Sequence, residues 1–243
     1  MANPLNTTGI LMPDDFDHSS YDAIWEHIRP KSHQYPDARS QFVAAWNGIS
    51  YRFRACAHHS NAFTKAIESE HDYENRYIQE RELLNFFVNG LAVFESFYFA
   101  MFAVGAMLRS DKFPLQGEKD KKNVKPKMTV QKFRTNFPND KMTKRMENLV
   151  GSKKDTNPSS KKFAEWSDIR NLLAHRQSPP RTHFLNANTG IQYQPPILTG
   201  IELAGKESLK IDQNTTLSRR IWLSKRLKIL LLETNKFVED NFR

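Results

Sequence analysis

The chain is expected to be mainly α, a helical bundle of four or five long helices with a small β-hairpin insertion before the last helix. Three observations lead there. Long proline-free segments place apolar residues three and four apart, the spacing of one helix face. Strand-like alternation is confined to one region ahead of the C-terminal helical pattern. Glycine is scarce, 9 in 243 residues, and strands do not alternate with helices, which sets aside nucleotide-binding α/β folds.

Taken in order, residues 1–36 read as an N-terminal extension with scattered prolines and aromatics and one short helix near 21–28. Residues 37–243 read as a helical domain. From 38 to 70 no proline occurs, and Phe42, Ala45, Trp46, Ile49 and Phe53 recur at helical spacing. A second, longer helix is expected over 73–109. Between Leu83 and Leu108 its only charged residue is Glu95, and apolar residues lie on all sides. That pattern belongs to a fully buried helix or to a membrane span. Asn85, Asn89, Glu95 and Ser96 interrupt it, and a carboxylate in mid-membrane is costly. The buried helix is therefore expected.

Residues 112–127 place Pro114, Gly117 and Pro126 among lysines and read as a mobile loop. A helical stretch kinked at Pro138 follows over 129–150, then a polar linker over 151–160. Asn157 before Pro158 marks a helix start, with asparagine as cap and proline in the first turn. That helix should run to Arg176, ahead of Pro179 and Pro180. One or two small hairpins form the expected β insertion, about 183–212, with turns at 188–190 and 204–206. Residues 216–242 make a strongly amphipathic helix bearing Ile221, Leu223, Leu227, Leu230, Leu231 and Phe237. No internal repeat is evident.

Charge is unevenly placed. The net charge is +9 and the pI near 9.6, a balance that favours polyanions. Between Ser110 and Lys162 there are 15 Lys plus Arg against 6 Asp plus Glu, while the remainder balances at 21 against 21. Both a solvated lysine-rich loop and a phosphate-attracting surface fit such a run. The single cysteine, Cys56, reads as a small buried hydrophobe. It excludes a disulfide framework and a cysteine-based zinc site, and fits a reducing compartment. The first residues show no basic region followed by an apolar run, so no secretory signal is expected and a cytoplasmic location is the default.

The segment richest in chemistry is WSDIRNLLAHRQ, residues 166–177, where Arg170 is followed directly by Asn171 and, five positions after the arginine, by His175. It resembles the signature of the HEPN superfamily: an arginine, a polar residue, a short mostly apolar spacer (here Leu172, Leu173 and Ala174) and a histidine. A long apolar helix with embedded polar residues upstream adds to the likeness. The motif covers about a dozen residues, and the helical arrangement extends the resemblance less specifically over 38–243. The β insertion and the Lys-rich stretch lie outside the minimal family pattern and leave the subfamily open. The resemblance implies a HEPN-like helical bundle, often dimeric. Many members are metal-independent endoribonucleases of toxin or antiphage defence systems, and others only bind RNA or a protein partner.

The chemistry can be argued from the residues themselves. RNA is cleaved without a metal when a base takes the 2′-OH proton and the 2′ oxygen attacks the adjacent phosphorus. Histidine suits that step, because its pKa lies near neutrality. Arginine suits the phosphate, because its planar fork pairs with two oxygens as charge builds. The expected roles are His175 as general base or acid, Arg170 as phosphate clamp, and Asn171 as a donor to substrate or an orienting partner. At about 100° per residue, Arg170 and His175 lie about 140° apart around a regular helix, whereas Asn171 and His175 share a face. Either the arginine curls round the helix end or a two-fold dimer brings two motifs into one cleft, and the resemblance implies the homodimer. Glu95, if buried, needs a cation; Arg170 is one candidate, another Lys or Arg the alternative. Lys153, Lys154, Lys161, Lys162 and Arg176 flank the motif as candidate RNA-phosphate contacts.

The plainer reading is that Arg170, Asn171 and His175 form the polar face of an amphipathic helix, with Asp168 or Glu165 beside the arginine. His58, His59 and His71 lack metal-ligand spacing and read as surface or structural residues. There is no phosphate-cradling glycine loop, no G-x-S-x-G and no H-E-x-x-H. No metal and no cofactor are expected. The expected partners are RNA, a second copy of the chain and an antitoxin or regulatory protein, with no membrane.

Overall fold

Asp17 starts the first helix, α1 (His18–Ser32): its carboxylate accepts from the Ser20 backbone N–H at 3.3 Å and from the Ser20 hydroxyl at 2.9 Å. The computed structural model describes residues 11–69, 72–151, 157–175, 181–185, 187–189, 192–198 and 209–243. Among these it has eight helices and three short strands, so the protein is a mainly α helical bundle with a small hairpin insertion ahead of its last helix. The long elements are α2 (Pro36–Glu68), α3 (Tyr73–Leu108) and, at the C-terminus, α8 (Asn214–Asn241).

The chain divides into two compact units. One comprises Met1–Arg54, Ala92–Gly151 and Leu223–Arg243; the other comprises Ala55–Leu91 and Ser152–Trp222. The long helices α2, α3 and α8 each contribute to both. Residues 1–36, read as an extension, include α1, which packs within the first unit.

In the first unit the apolar stripe of α2 is buried as its spacing predicts: Phe42, Trp46, Ile49 and Phe53 are each at most 1% exposed. Tyr21 of α1 stacks on Trp46 at 4.8 Å and donates its hydroxyl to the Trp46 carbonyl at 2.9 Å. Between Ala92 and Leu108, α3 is buried almost all round, and Tyr98 donates to the Met146 carbonyl at 2.8 Å. An 18-residue window of α3 is apolar enough to cross a membrane, and 72% of that window is buried inside the protein, the burial that a core helix requires.

The lysine-rich region differs from expectation in two ways. Residues 112–127, expected as a loop, include the short helix α4 (Glu118–Asn123), held at its start by a hydrogen bond from the Gly117 N–H to the Asp120 carboxylate at 3.4 Å. The stretch expected over 129–150 begins earlier, because Pro126 is well placed in a first turn, and it splits into α5 (Pro126–Asn136) and α6 (Lys141–Val150). Pro138 breaks the helix rather than kinking it, and Asp140 restarts it by accepting from the Met142 N–H at 2.7 Å. Phe133 and Phe137 close this region against Phe113 and Phe237.

In the second unit, α2 and α3 run antiparallel. Cys56 Sγ meets the Phe86 carbonyl at 3.6 Å, and Gln79 donates to the Ala66 carbonyl at 2.9 Å. The start of α8 runs against α2: Gln213 donates to Glu68 at 2.9 Å and Ser60 to Thr216 at 3.0 Å. The insertion is one antiparallel sheet in the order β1 (Arg181–Leu185), β2 (Gln192–Leu198), β3 (Leu209–Lys210). Its pairing shifts between Thr182 and Phe184, next to Pro195 and Pro196, which cannot donate to the ladder. The turn expected at 204–206 lies outside the described residues.

Candidate functional site

The motif lies on α7 (Pro158–His175), in the second unit. Asn157 caps it, its side chain accepting from the Ser159 N–H at 2.9 Å, as the Asn-Pro pair predicted. The helix is fixed in rotation by its apolar face. Trp166 and Ile169 are fully buried, and the Trp166 ring packs on Phe86 at 5.3 Å, Phe87 at 5.4 Å and Trp222 at 5.9 Å. Gly90 makes this possible, since a Cβ there would stand 2.0 Å from Trp166 Cζ3. On the flank of α7, Glu165 pairs with the Arg219 guanidinium, which also donates to the Thr215 carbonyl at 2.8 Å and lies over Phe87 at 5.7 Å.

This anchoring presents the motif at the end of the helix. Arg170 is half-buried, Asn171 is exposed, Leu172 and Leu173 are half-buried and Ala174 is exposed. His175 is the last helical residue. Glu165 is engaged by Arg219 through one carboxylate oxygen. Of the flanking cations, Lys161 is exposed and Lys162 half-buried on the first turns of α7, whereas Lys153, Lys154 and Arg176 lie outside the described residues.

Glu95 belongs to the first unit. It is exposed on α3 and lines an open groove of about 490 Å³ in the first unit, with Gln41, Ala45, Ser96 and Lys125 among its neighbours. Its exposure removes the burial cost that would have made a cationic partner obligatory.

Spacing alone missed a polar cluster in the second unit. Glu82 keeps 5% of its side-chain exposure, and its two oxygens are both taken: Oε2 accepts from His59 Nδ1 at 2.6 Å and Oε1 from Arg81 at 2.7 Å. Burial pushes the Glu82 carboxyl up, but the hydrogen bonds from His59 and Arg81 outweigh it and hold the group below its ordinary range. His58, exposed, lies edge-on to the His59 ring at 5.4 Å. One signal in the sequence pointed here: Glu82 is the last charged residue before the apolar run and shares an i, i+4, i+8 stripe with Phe86 and Gly90. Among the described residues no group of three or more His, Cys, Asp or Glu is placed to hold a metal ion.

No protein-family model, curated protein or solved structure matches this chain.

Proposed function

We propose that the chain is a metal-independent endoribonuclease of the HEPN type that works as a homodimer. The observation that supports this most is the placement of Arg170, Asn171 and His175 on the last turns of one helix, whose rotation is locked by Trp166 and Ile169 while Asn171 meets solvent. In this reading His175 takes the proton from a 2′-OH, and the 2′ oxygen then attacks phosphorus. Arg170 neutralises the charge that builds on the phosphoryl oxygens. Asn171 holds the ribose or the phosphate, and Lys161 and Lys162 contact the flanking backbone without regard to sequence. Residues 140° apart on one helix act best across a two-fold axis, where Arg170 of one copy faces His175 of the other. A toxin or defence role follows from the family resemblance alone.

The test is incubation of a mixed RNA pool with the protein in EDTA, with analysis of the fragment ends. Fragments ending in 2′,3′-cyclic phosphate support the reading; intact RNA across a range of sequences and concentrations contradicts it. A second reading, a non-catalytic module that binds RNA, is favoured by one observation. The first unit exposes Lys119, Lys122, Lys125, Lys127, Arg134, Lys141, Lys144 and Arg145 on α4–α6 and their junctions, a concentration of positive charge of the kind that attracts phosphate.

A further inference from the structure

We propose that His59, held by Glu82, is the group that protonates the leaving 5′ oxygen in the cleavage reaction, a role that rests on the ribonuclease reading above. That reaction needs two proton transfers. The O2′–P bond forms as a base removes the 2′ proton, and the P–O5′ bond breaks as an acid supplies one to O5′. His175 accounts for the first, and within one copy its motif offers no second titratable group near neutrality, so the acid is either the other copy's His175 or a group outside the motif.

His59 has the features of a positioned proton donor. An ionised carboxylate only accepts hydrogen bonds, so Nδ1 of His59 is the protonated nitrogen facing Glu82 Oε2 at 2.6 Å. This fixes the ring and leaves Nε2 for a substrate. The His59 side chain is 21% exposed, enough to be reached, while Glu82 at 5% is set behind it. Arg81 satisfies the other Glu82 oxygen, so the carboxylate stays ionised and available to balance an imidazolium.

The geometry of the second unit brings this pair to the height of the motif. Phe86 and Gly90 meet Trp166, so the stripe Glu82–Phe86–Gly90 is the face of α3 turned to α7. Beyond Gly90, α3 contributes only Leu91 to this unit, whereas 17 residues precede Gly90 from Tyr73. Since α7 lies wholly in this unit and α3 leaves it after Leu91, we take the nine residues of α7 after Trp166 to run back along α3 toward Tyr73. The sheet that follows α7 agrees: Arg181 lies opposite Leu198, which lies opposite Leu209, and β3 leads to Gln213, which donates to Glu68 at the end of α2. With α7 antiparallel to α3, one turn forward from Trp166 reaches Arg170, and one turn back from Phe86 reaches Glu82. On this arrangement His59, Arg170 and Asn171 fall in one layer of the unit, with the end of α7 about one turn beyond.

The test compares ordinary RNA with RNA carrying sulfur in place of the 5′ bridging oxygen at the cleaved linkage, since a thiolate leaves without a proton. His59→Asn preserves the hydrogen bond to Glu82 but transfers no proton, and His59→Ala removes both; circular dichroism and gel filtration establish that each is folded. The expected result is a loss of about 100-fold on ordinary RNA that is largely restored on the sulfur substrate, while His175→Ala stays inactive on both. Equal losses on the two substrates, or no loss on ordinary RNA, overturn the role of His59 and leave the ribonuclease reading standing. A wild type that cuts neither RNA overturns both.

Discussion

Gly90 lies directly under Trp166: a Cβ on the glycine would come within 2.0 Å of the indole Cζ3 and 2.6 Å of Cη2. The missing side chain is what lets α7 settle on α3, and α7 carries the motif. Gly90→Ala should destabilise the protein by about 1–3 kcal/mol through overpacking, more than helix propensity returns. Urea unfolding followed by tryptophan fluorescence would show it, and an unchanged midpoint would mean the indole has room to move.

Glu165 and Arg219 hold the flank of the same helix with side chains 13% and 10% exposed. Removing one partner leaves the other charge poorly solvated. Glu165→Leu and Arg219→Met should each cost about 3 kcal/mol, and the double variant no more than the worse single one. Additive losses in a double-mutant cycle would show that the pair is not coupled.

The Glu82 carboxyl is held below its ordinary value of 4.5 by the donors His59 and Arg81, against the opposing effect of burial. A depressed carboxyl contributes stability that is fully present above the unfolded value and lost as pH falls through the folded one. Glu82→Gln should therefore be less stable than wild type at neutral pH, with the gap closing below pH 4.5. Denaturation midpoints across that range test it. A gap that stays constant on acidification would mean that His59 and Arg81 do not favour the ionised form.

Asn171 is exposed and adds nothing to the core. Asn171→Ala should change stability by less than about 0.5 kcal/mol yet slow RNA cleavage by about 10-fold, the worth of one hydrogen bond to a charged group. Wild-type cleavage by a folded Asn171→Ala would assign the residue to a solvated helix face.

Much of this was legible in the chain. The α2 stripe Phe42, Trp46, Ile49 and Phe53 and the Asn157–Pro158 start of α7 were readable because period and capping are local. The short helix α4 was not, since EKDKKN has no apolar stripe and depends on the Gly117–Asp120 cap. The exposure of Glu95 was not readable for a related reason: a helix apolar on every side does not announce which positions face solvent, and the packing around α3 decides it. His59 and Glu82, 23 residues apart, meet through the register of α2 on α3, which no spacing within one helix reveals.

The most direct test of the account is the rate at which one defined RNA is cut in EDTA by wild type and by a folded His175→Ala variant. The account predicts cleavage by wild type and a fall of at least about 100-fold in the variant. Equal rates for the two proteins would contradict it, because the end of α7 would then take no part in the chemistry.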